Sequence, residues 1–249
     1  MAHTPQVLWL STSPSLQRLD QPLLRYLSSN ITTLQWEYHQ IQDEPCCFQT
    51  AMNLLHDYLK HCTCPIHLAG HGTGGLLALL YARKYPELIE SLSLLSVGVH
   101  PAVDWQAHYY VHRQLLSCSR DAILTQMVTH LFGQQKQFTV SKLRRLLKQD
   151  LDHALSPHTL FRRVSVPTGN VDVPLMVCGG ENDIVIDPNQ LHGWRDQFKP
   201  SDRLWVCPEG SHFFHCFQPE VVGQQLLEFW HSLSMASNSY CIQGLFQAS

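Results

Sequence analysis

Residues 65–82 read PIHLAGHGTGGLLALLYA, and this stretch decides how the rest of the chain is interpreted. It begins as a short apolar strand, turns sharply through closely spaced glycines and continues as an apolar helix that ends near Lys84. This succession is typical of a nucleophile elbow, G-x-S-x-G, in which a serine projects from the turn. Gly70 and Gly74 hold the outer positions, and Gly72 stands in the serine's place. The stretch predicts the shape of an active-site turn without its attacking atom.

Strands and helices alternate on both sides of this turn. The segments with strand-like patterns are 7–10, 31–38, 91–97, 174–178 and 203–207. The segments with helical periodicity are 20–28, 48–60, 188–198 and 219–233. Asp20 is predicted to be the N-cap of the first of these helices, with Pro22 in its first turn. The alternation predicts an α/β fold with a mostly parallel sheet flanked by helices.

Residues 100–172 break this alternation. Helical periodicity dominates there, in segments 105–116, 121–132 and 141–155, with no convincing strand between them. We therefore predict a sheet core of residues 1–99 and 173–249, interrupted by a helical cap of residues 100–172. Residues 234–249 are polar and rich in small side chains, and we predict a loosely held C-terminal tail there.

Composition and charge narrow the class of protein. Hydrophobic residues make up 44% of the 249 residues and charged residues 15%, which is typical of a globular chain and excludes a disordered one. The net charge of −3 gives no reason to expect a nucleic-acid partner. The charge is uneven, because residues 100–172 hold nine Lys and Arg against five Asp and Glu, a balance of +4.

The cysteine content and the N-terminal sequence bear on the cellular compartment. The apolar run at 7–10 is far too short for a secretory signal, and no stretch approaches the roughly 18 apolar residues of a membrane-spanning helix. The nine cysteines lack the regular spacing of a disulfide framework. We therefore expect reduced thiols, a cytoplasmic location and no transmembrane segment.

Three of the predicted strands end in segments that carry chemically active residues. The first end is the elbow itself, Asp183 follows the strand at 174–178, and His212 follows the strand at 203–207. The carboxyl ends of parallel strands meet at one edge of the sheet. We therefore predict that Asp183 and His212 lie within hydrogen-bonding distance of each other beside Gly72.

Together these segments resemble the α/β-hydrolase superfamily. GHGTGG at 70–75 is similar to the family's elbow G-H-S-x-G-G and departs from it only at residue 72. GENDIV at 180–185 resembles the acid loop G-x-x-D-x-[VIL], and His212 followed by Pro-Glu at 219–220 resembles the G-H-x6-P-E segment. The chain order of elbow, acid and histidine is also that of the family. The resemblance covers nearly the whole chain outside the cap. Residues 96–99 and 104–106 also resemble hydrolase-like proteins of cyanobacteria.

The resemblance implies a catalytic acid at Asp183 and a catalytic histidine at His212, but two departures from it affect the chemistry. Glycine offers no hydroxyl or thiol, so no acyl-enzyme can form on residue 72. The family's oxyanion hole implies backbone N–H groups of Thr73 and of the loop at Ser11 and Thr12, together with the elbow residues Gly70, His71 and Gly74. This loop lacks the His-Gly that family members often carry.

Two further clusters have competing interpretations. His61, Cys62, Cys64 and His67 do not have the spacing of a metal site, and we predict no metal and no cofactor. The basic side chains of one cap helix are Lys142, Arg144, Arg145 and Lys148. They are either a solvated polar face or a docking surface for an acidic protein partner or an anionic membrane surface.

Three functions follow as hypotheses. The leading one is a pseudoenzyme with a degenerate catalytic triad that binds an apolar small-molecule ligand or a protein partner. The second is a cofactor-independent enzyme, of hydrolase or lyase type, that uses a His212–Asp183 dyad without a covalent intermediate. The third is an assembly or scaffold protein that docks through the basic cap. Conventional serine-hydrolase activity is not expected, and whether the chain is an enzyme stays open.

Overall fold

The computed structural model describes residues 5–39, 47–134 and 138–246, with side chains up to residue 235. Its sheet has six strands in the order β2-β1-β3-β4-β5-β6, and every neighbouring pair is parallel. The strands are β1 Val7–Ser11, β2 Thr33–Glu37, β3 Ile66–His71, β4 Ile89–Leu95, β5 Leu175–Gly180 and β6 Arg203–Cys207. The predicted parallel sheet is therefore confirmed.

Nine α-helices accompany the sheet in the described part of the chain. They are α1 Gln21–Ser28, α2 Phe48–Leu59, α3 Gly72–Lys84, α4 Trp105–Leu115, α5 Arg120–Phe132, α6 Val140–His153, α7 Pro188–His192, α8 Phe214–Phe217 and α9 Pro219–Phe246. Helices α4, α5 and α6 all fall between β4 and β5, within the segment predicted to be the cap. None of the described helices is both long and apolar enough to cross a membrane.

Strand β1 illustrates why the sheet is buried on both faces. Val7 and Trp9 belong to an apolar cluster with residues of α1 and α9, whereas Leu8 and Leu10 belong to a second cluster with α2 and α3. Successive side chains of a strand point to opposite faces, so an unbroken apolar run fills both layers. This burial fixes the register that brings the ends of β3, β5 and β6 to one edge.

Two predicted helix boundaries are wrong. The closing helix does not end near residue 233 but continues as α9 to Phe246, through much of the predicted loose tail. Residues 234–243 contain neither proline nor glycine, so the helical backbone hydrogen bonds can propagate. The helix predicted at 188–198 is only α7, followed by a 3₁₀ segment at Gly193–Gln197. There the Trp194 indole donates a hydrogen bond to the Val97 carbonyl, at 2.9 Å, which anchors this tighter turn to the core.

Candidate functional site

The elbow turn joins β3 directly to α3. Gly72 has a φ of +51°, and a Cβ placed on it would meet no atom within 4 Å. In this left-handed region a residue with a Cβ pays on the order of 1–2 kcal/mol, which glycine does not. The turn therefore has an unstrained backbone, and open space lies where a side chain would project.

Gly74, two residues further on, is required by packing and not by its backbone angles. A Cβ on Gly74 would lie 2.3 Å from the Leu10 carbonyl oxygen, far inside van der Waals contact. The first turn of α3 consequently packs directly on the end of β1. This close approach brings Ser11 and Thr12 beside Gly72, as the sequence predicted for the oxyanion loop.

Asp183 and His212 form a buried hydrogen-bonded pair. His212 Nδ1 lies 2.9 Å from Asp183 Oδ2, and both residues are almost fully buried. The other carboxylate oxygen, Oδ1, accepts the backbone N–H groups of Val185 and Ile186 at 2.9 and 3.1 Å. When Nδ1–H donates to the carboxylate and Nε2 carries no proton, Nε2 is a hydrogen-bond acceptor and a potential base.

The pKa of Asp183 lies below its usual range. Burial raises the pKa of this carboxyl, but the charge and hydrogen bond of His212, with the N–H groups of Ile186 and Val185, outweigh that effect. The carboxylate thus stays ionised and fixes the orientation of the imidazole ring. His212 Nε2 has no hydrogen-bond partner within the described residues.

Two donors hold the backbone of His212 in place. His71 Nε2–H and the Ser96 hydroxyl both donate to the His212 carbonyl oxygen, each at 2.9 Å. Burial, together with the nearby His215 and His212, lowers the pKa of His71 well below its usual value, so His71 remains a neutral donor. Ser96 has a φ of 49°, unusual for a residue with a Cβ, and such strain concentrates at functional sites. Both side chains hold the backbone of His212 in position.

A small polar cavity lies between the elbow and the cap. It offers about 30 Å³ to a water-sized molecule, which is room for a water but not for an organic ligand. Six of the predicted elbow and oxyanion residues line it together with His212, namely Ser11, Thr12, His71, Gly72, Thr73 and Gly74. Gly70, in β3, and Asp183, in the loop after β5, do not line the cavity. The Thr12 hydroxyl is buried at this site and has no hydrogen-bond partner among the described residues.

Asp104 is a cavity residue that sequence reasoning missed. It is the N-cap of α4, where Oδ1 accepts the Ala107 N–H at 2.7 Å. Its Oδ2 accepts the Thr73 hydroxyl at 3.3 Å, so the hydroxyl next to Gly72 is directed to the cap. Burial raises the pKa of the Asp104 carboxyl. An N-cap position could be read from the sequence, but its long-range contact with Thr73 could not.

A second histidine–carboxylate pair lies beside the first. His215 Nε2 donates to Asp20 Oδ1 at 2.9 Å, and the Trp9 indole donates to Asp20 Oδ2 at 3.0 Å. Asp20 is the N-cap residue of α1, as predicted, but its side chain makes no capping hydrogen bond with the described residues, because both carboxylate oxygens serve these tertiary partners. The His71 ring contacts the His215 ring in a tilted arrangement, with centroids 4.4 Å apart, and this contact links the two pairs.

The predicted basic docking residues belong to another part of the molecule. Lys142, Arg144, Arg145 and Lys148 all lie on α6, and none of them lines the cavity. Arg144 lies 3.9 Å from Asp121, whereas Lys142 sits over the Phe138 ring at 5.5 Å. Among the described residues, no group of three His, Cys, Asp or Glu side chains could hold a metal ion.

Comparison with known proteins identifies the family to which this fold belongs. The model of a family described as the alpha/beta hydrolase family matches residues 14–225. The chain belongs to the alpha/beta hydrolase family. This alpha/beta hydrolase-family chain is similar to a solved membrane phospholipase A, at 18% identity and a TM-score of 0.72, over 94% of this chain and 81% of that one.

Two cyanobacterial relatives are far more similar in sequence. An uncharacterized protein of Nostoc is 45% identical over 249 residues, covering 99% of this chain and 100% of the relative. An uncharacterized protein of Synechocystis is 47% identical over 227 residues, covering 91% and 90%. The predicted resemblance to cyanobacterial hydrolase-like proteins is confirmed at this level.

Proposed function

We propose that this alpha/beta hydrolase-family protein is a binding protein that lacks the nucleophilic serine of an elbow and forms no acyl-enzyme. The observation that carries the proposal is Gly72, which contributes no side chain to the open space at the turn. The adjacent hydroxyl, that of Thr73, is engaged by Asp104 and is not free to replace it. In this proposal the elbow turn supports the cap and takes no part in catalysis.

The size of the cavity bears on the kind of partner. About 30 Å³ accommodates water, so an apolar small molecule would need the cap to move away from the sheet. Cap and core are joined by the Leu155 N–H to the Thr12 carbonyl, at 3.2 Å, and by the stacked rings of Phe132 and Phe213 at 4.8 Å. These contacts favour a partner that docks on the outside of the protein over an apolar ligand inside it.

Aryl-ester turnover tests this proposal. The wild-type protein is assayed beside His212→Ala, with His192→Ala as the matched control on the surface helix α7. We expect no turnover that depends on His212, because the elbow offers His212 no side-chain nucleophile to activate. Hydrolysis that disappears in His212→Ala and persists in His192→Ala would contradict the proposed binding function.

A second candidate function is general-base catalysis by the His212–Asp183 dyad. The observation that favours it is the pairing of His212 Nδ1 with an ionised Asp183 while Nε2 remains an unpartnered acceptor at a water-sized cavity. A water held there could lose a proton to Nε2 while it attacks a substrate carbonyl, with no covalent intermediate. A His212-dependent reaction without a burst of the first product would favour this candidate over the binding function.

We also propose a cytoplasmic location. The cysteines that the structure describes are all free thiols, and Cys178, Cys207 and Cys216 are buried. Burial raises the pKa of the Cys216 thiol to about 11, so this group stays protonated and unreactive. Such thiols suit a reducing compartment.

A further inference from the structure

The outer end of the cap carries an exposed group of apolar side chains. We call it the apolar tip; its members are Val111, Leu115, Leu116, Leu160 and Phe161. Leu115 is 76% exposed and Phe161 is 94% exposed, although most large apolar side chains of this chain are buried. Scattered exposed apolar residues need no explanation, whereas a group that shares one site indicates an interaction surface.

The tip is held together by specific hydrogen bonds. Gln114 Nε2 donates to the Leu160 carbonyl at 2.7 Å, which ties the turn at 159–162 to the end of α4. Thr159 closes that turn: its N–H donates to the Arg162 carbonyl at 2.8 Å, and its hydroxyl oxygen accepts the N–H groups of Phe161 and Arg162.

Arg163 also stabilises this turn through hydrogen bonds. Its guanidinium donates to the Thr159 carbonyl at 2.6 Å and to Gln114 Oε1 at 3.2 Å, and it lies over the Tyr110 ring at 5.3 Å. The arrangement therefore fixes Phe161 in an outward position at the end of an ordered turn.

The charge around the tip is of one sign. Residues 105–119 and 153–171, which form the tip and its surroundings, contain no Asp or Glu and include Arg113, Arg162 and Arg163. Arg162, next to Phe161, makes no side-chain hydrogen bond or ion pair with the residues that the structure describes. The nearby cap carboxylates are engaged elsewhere: Asp152 pairs with Arg120 at 2.8 Å, Asp121 lies 3.9 Å from Arg144, and Asp104 and Asp150 are buried. An anionic partner would therefore meet arginines at this site and no opposing charge.

We propose that the apolar tip docks on an anionic lipid surface, with Phe161 and Leu115 entering the interfacial region and Arg113 and Arg162 meeting the phosphate groups. Isolated side chains that project from a turn suit a bilayer, because lipids close around them without shape complementarity. A protein interface would require a flatter, packed apolar centre. The basic face of α6 has no comparable apolar group, since among its described residues only Val140 is a large exposed hydrophobic side chain.

An apolar groove adjoins the tip and fits the same partner. Its volume is about 320 Å³, and six of its ten lining residues are apolar, namely Ala102, Val103, Ala107, Val111, Val164 and Val166. Arg163 stands at its edge. A groove of this kind next to arginines can receive part of an acyl chain whose phosphate stays at the surface, so it extends the lipid-facing area beyond the turn.

Co-sedimentation with lipid vesicles tests the proposal on the full chain. One set of vesicles contains phosphatidylglycerol and phosphatidylcholine in equal parts, and the other contains phosphatidylcholine alone. We expect binding to the anionic set only. Phe161→Ser should weaken it by at least about 10-fold, since one buried aromatic side chain is worth at least that factor. Arg162→Glu should weaken it by a similar factor at low salt.

Matched substitutions outside the tip serve as controls. Val140→Ser removes a half-exposed apolar side chain from α6, and Lys148→Glu reverses an exposed charge on the same helix. Both should bind vesicles like the wild-type protein. Absence of wild-type binding to anionic vesicles would overturn the proposal, as would equal binding by Phe161→Ser. Retention by immobilised polyglutamate without any vesicle binding would assign the surface to an acidic protein instead.

This inference rests on the proposed binding function, because it names the class of partner. The two can fail separately. His212-dependent ester turnover would contradict the binding function whatever the vesicles show. Loss of vesicle binding in a catalytically silent protein would remove only the lipid surface as partner.

Discussion

The two sides of the cap are built in opposite ways. On the inner side, polar groups are buried and nearly all bonded: Asp104 to Thr73 and Ala107, and Gln106 to Asp150 at 3.2 Å. On the outer side, Phe161 and Leu115 are apolar and exposed, and the described structure offers nothing that covers them. Buried polar groups cost free energy unless they are bonded, and exposed apolar groups cost free energy unless something covers them.

This difference indicates where binding takes place. On the inner side most of the buried polar groups are hydrogen-bonded within the chain, and the cavity there is the size of a water molecule. The outer side has apolar surface that only another surface can remove from water. Substitutions on the inner side should therefore change stability, and substitutions on the outer side should change binding.

The largest expected effect is at Gly74. Gly74→Ala should lower the free energy of unfolding by more than about 4 kcal/mol or prevent folding, because the new Cβ would overlap the Leu10 carbonyl oxygen. Gly72→Ala is the matched control in the same turn, where the Cβ meets open space and only the left-handed backbone costs about 1–2 kcal/mol. Urea unfolding of both variants measures the difference. Equal losses would show that the elbow does not pack on β1 as described.

The next effect is at the buried dyad. Asp183→Asn should destabilise the protein by about 3 kcal/mol, since the amide cannot replace an ionised partner for His212 and its backbone donors. Asp196→Asn, at an exposed position, should change stability by less than about 0.5 kcal/mol. Thermal unfolding at neutral pH compares the two. A stability loss below about 1 kcal/mol for Asp183→Asn would show that the hydrogen bond between Asp183 and His212 contributes little to folding.

Asp150 gives a prediction that depends on pH. Burial raises the pKa of this carboxyl to about 7, above the roughly 4 of an unfolded chain. The folded state therefore holds a proton that the unfolded state has lost, so stability falls as the pH rises from about 4 to about 7. Asp150→Asn should remove this fall and be more stable than the wild type at pH values near 8, by at least about 1 kcal/mol. Melting curves across this pH range measure the slope; an unchanged slope would contradict the raised pKa.

The smallest effect on stability is expected on the outer side. Phe161→Ser should change the free energy of unfolding by less than about 0.5 kcal/mol, because the ring is 94% exposed. Phe132→Ser, at a fully buried ring on the inner side of the cap, is the comparison and should cost about 3–5 kcal/mol. The urea midpoints of the two variants measure these two changes in stability. A large loss for Phe161→Ser would mean that the ring packs on the protein and is not free for a partner.

Local patterns in the sequence were enough to predict the sheet, the cap and the meeting of Asp183 with His212. Each depends on strand periodicity and on the rule that parallel strands end at one edge. The roles of Asp20, Ser96 and Asp104 were not predictable, because they come from contacts with residues far away in the chain. Local capping rules predict that the Asp20 carboxylate accepts N–H groups of the first turn of α1. It accepts hydrogen bonds from Trp9 and His215 instead.

The apolar tip was beyond prediction for a related reason. Phe161 and Leu115 have the composition of core residues, and their exposure follows only from the turn that Thr159, Gln114 and Arg163 fix. The sequence predicts a docking surface on the cap from the charges of α6. The structure concentrates exposed apolar surface at another part of the same cap.

The central claim is that the elbow turn keeps its backbone conformation but carries no nucleophile. Labelling with an activated phosphonate ester, followed by intact-mass measurement, tests this claim most directly. Gly72→Ser serves as the positive control, since a hydroxyl at the turn would project toward His212 and should gain one phosphonyl adduct. The wild-type protein is predicted to stay at its unmodified mass under the same conditions. A single adduct on the wild type that disappears in His212→Ala would reveal another nucleophile at the site and would contradict the account.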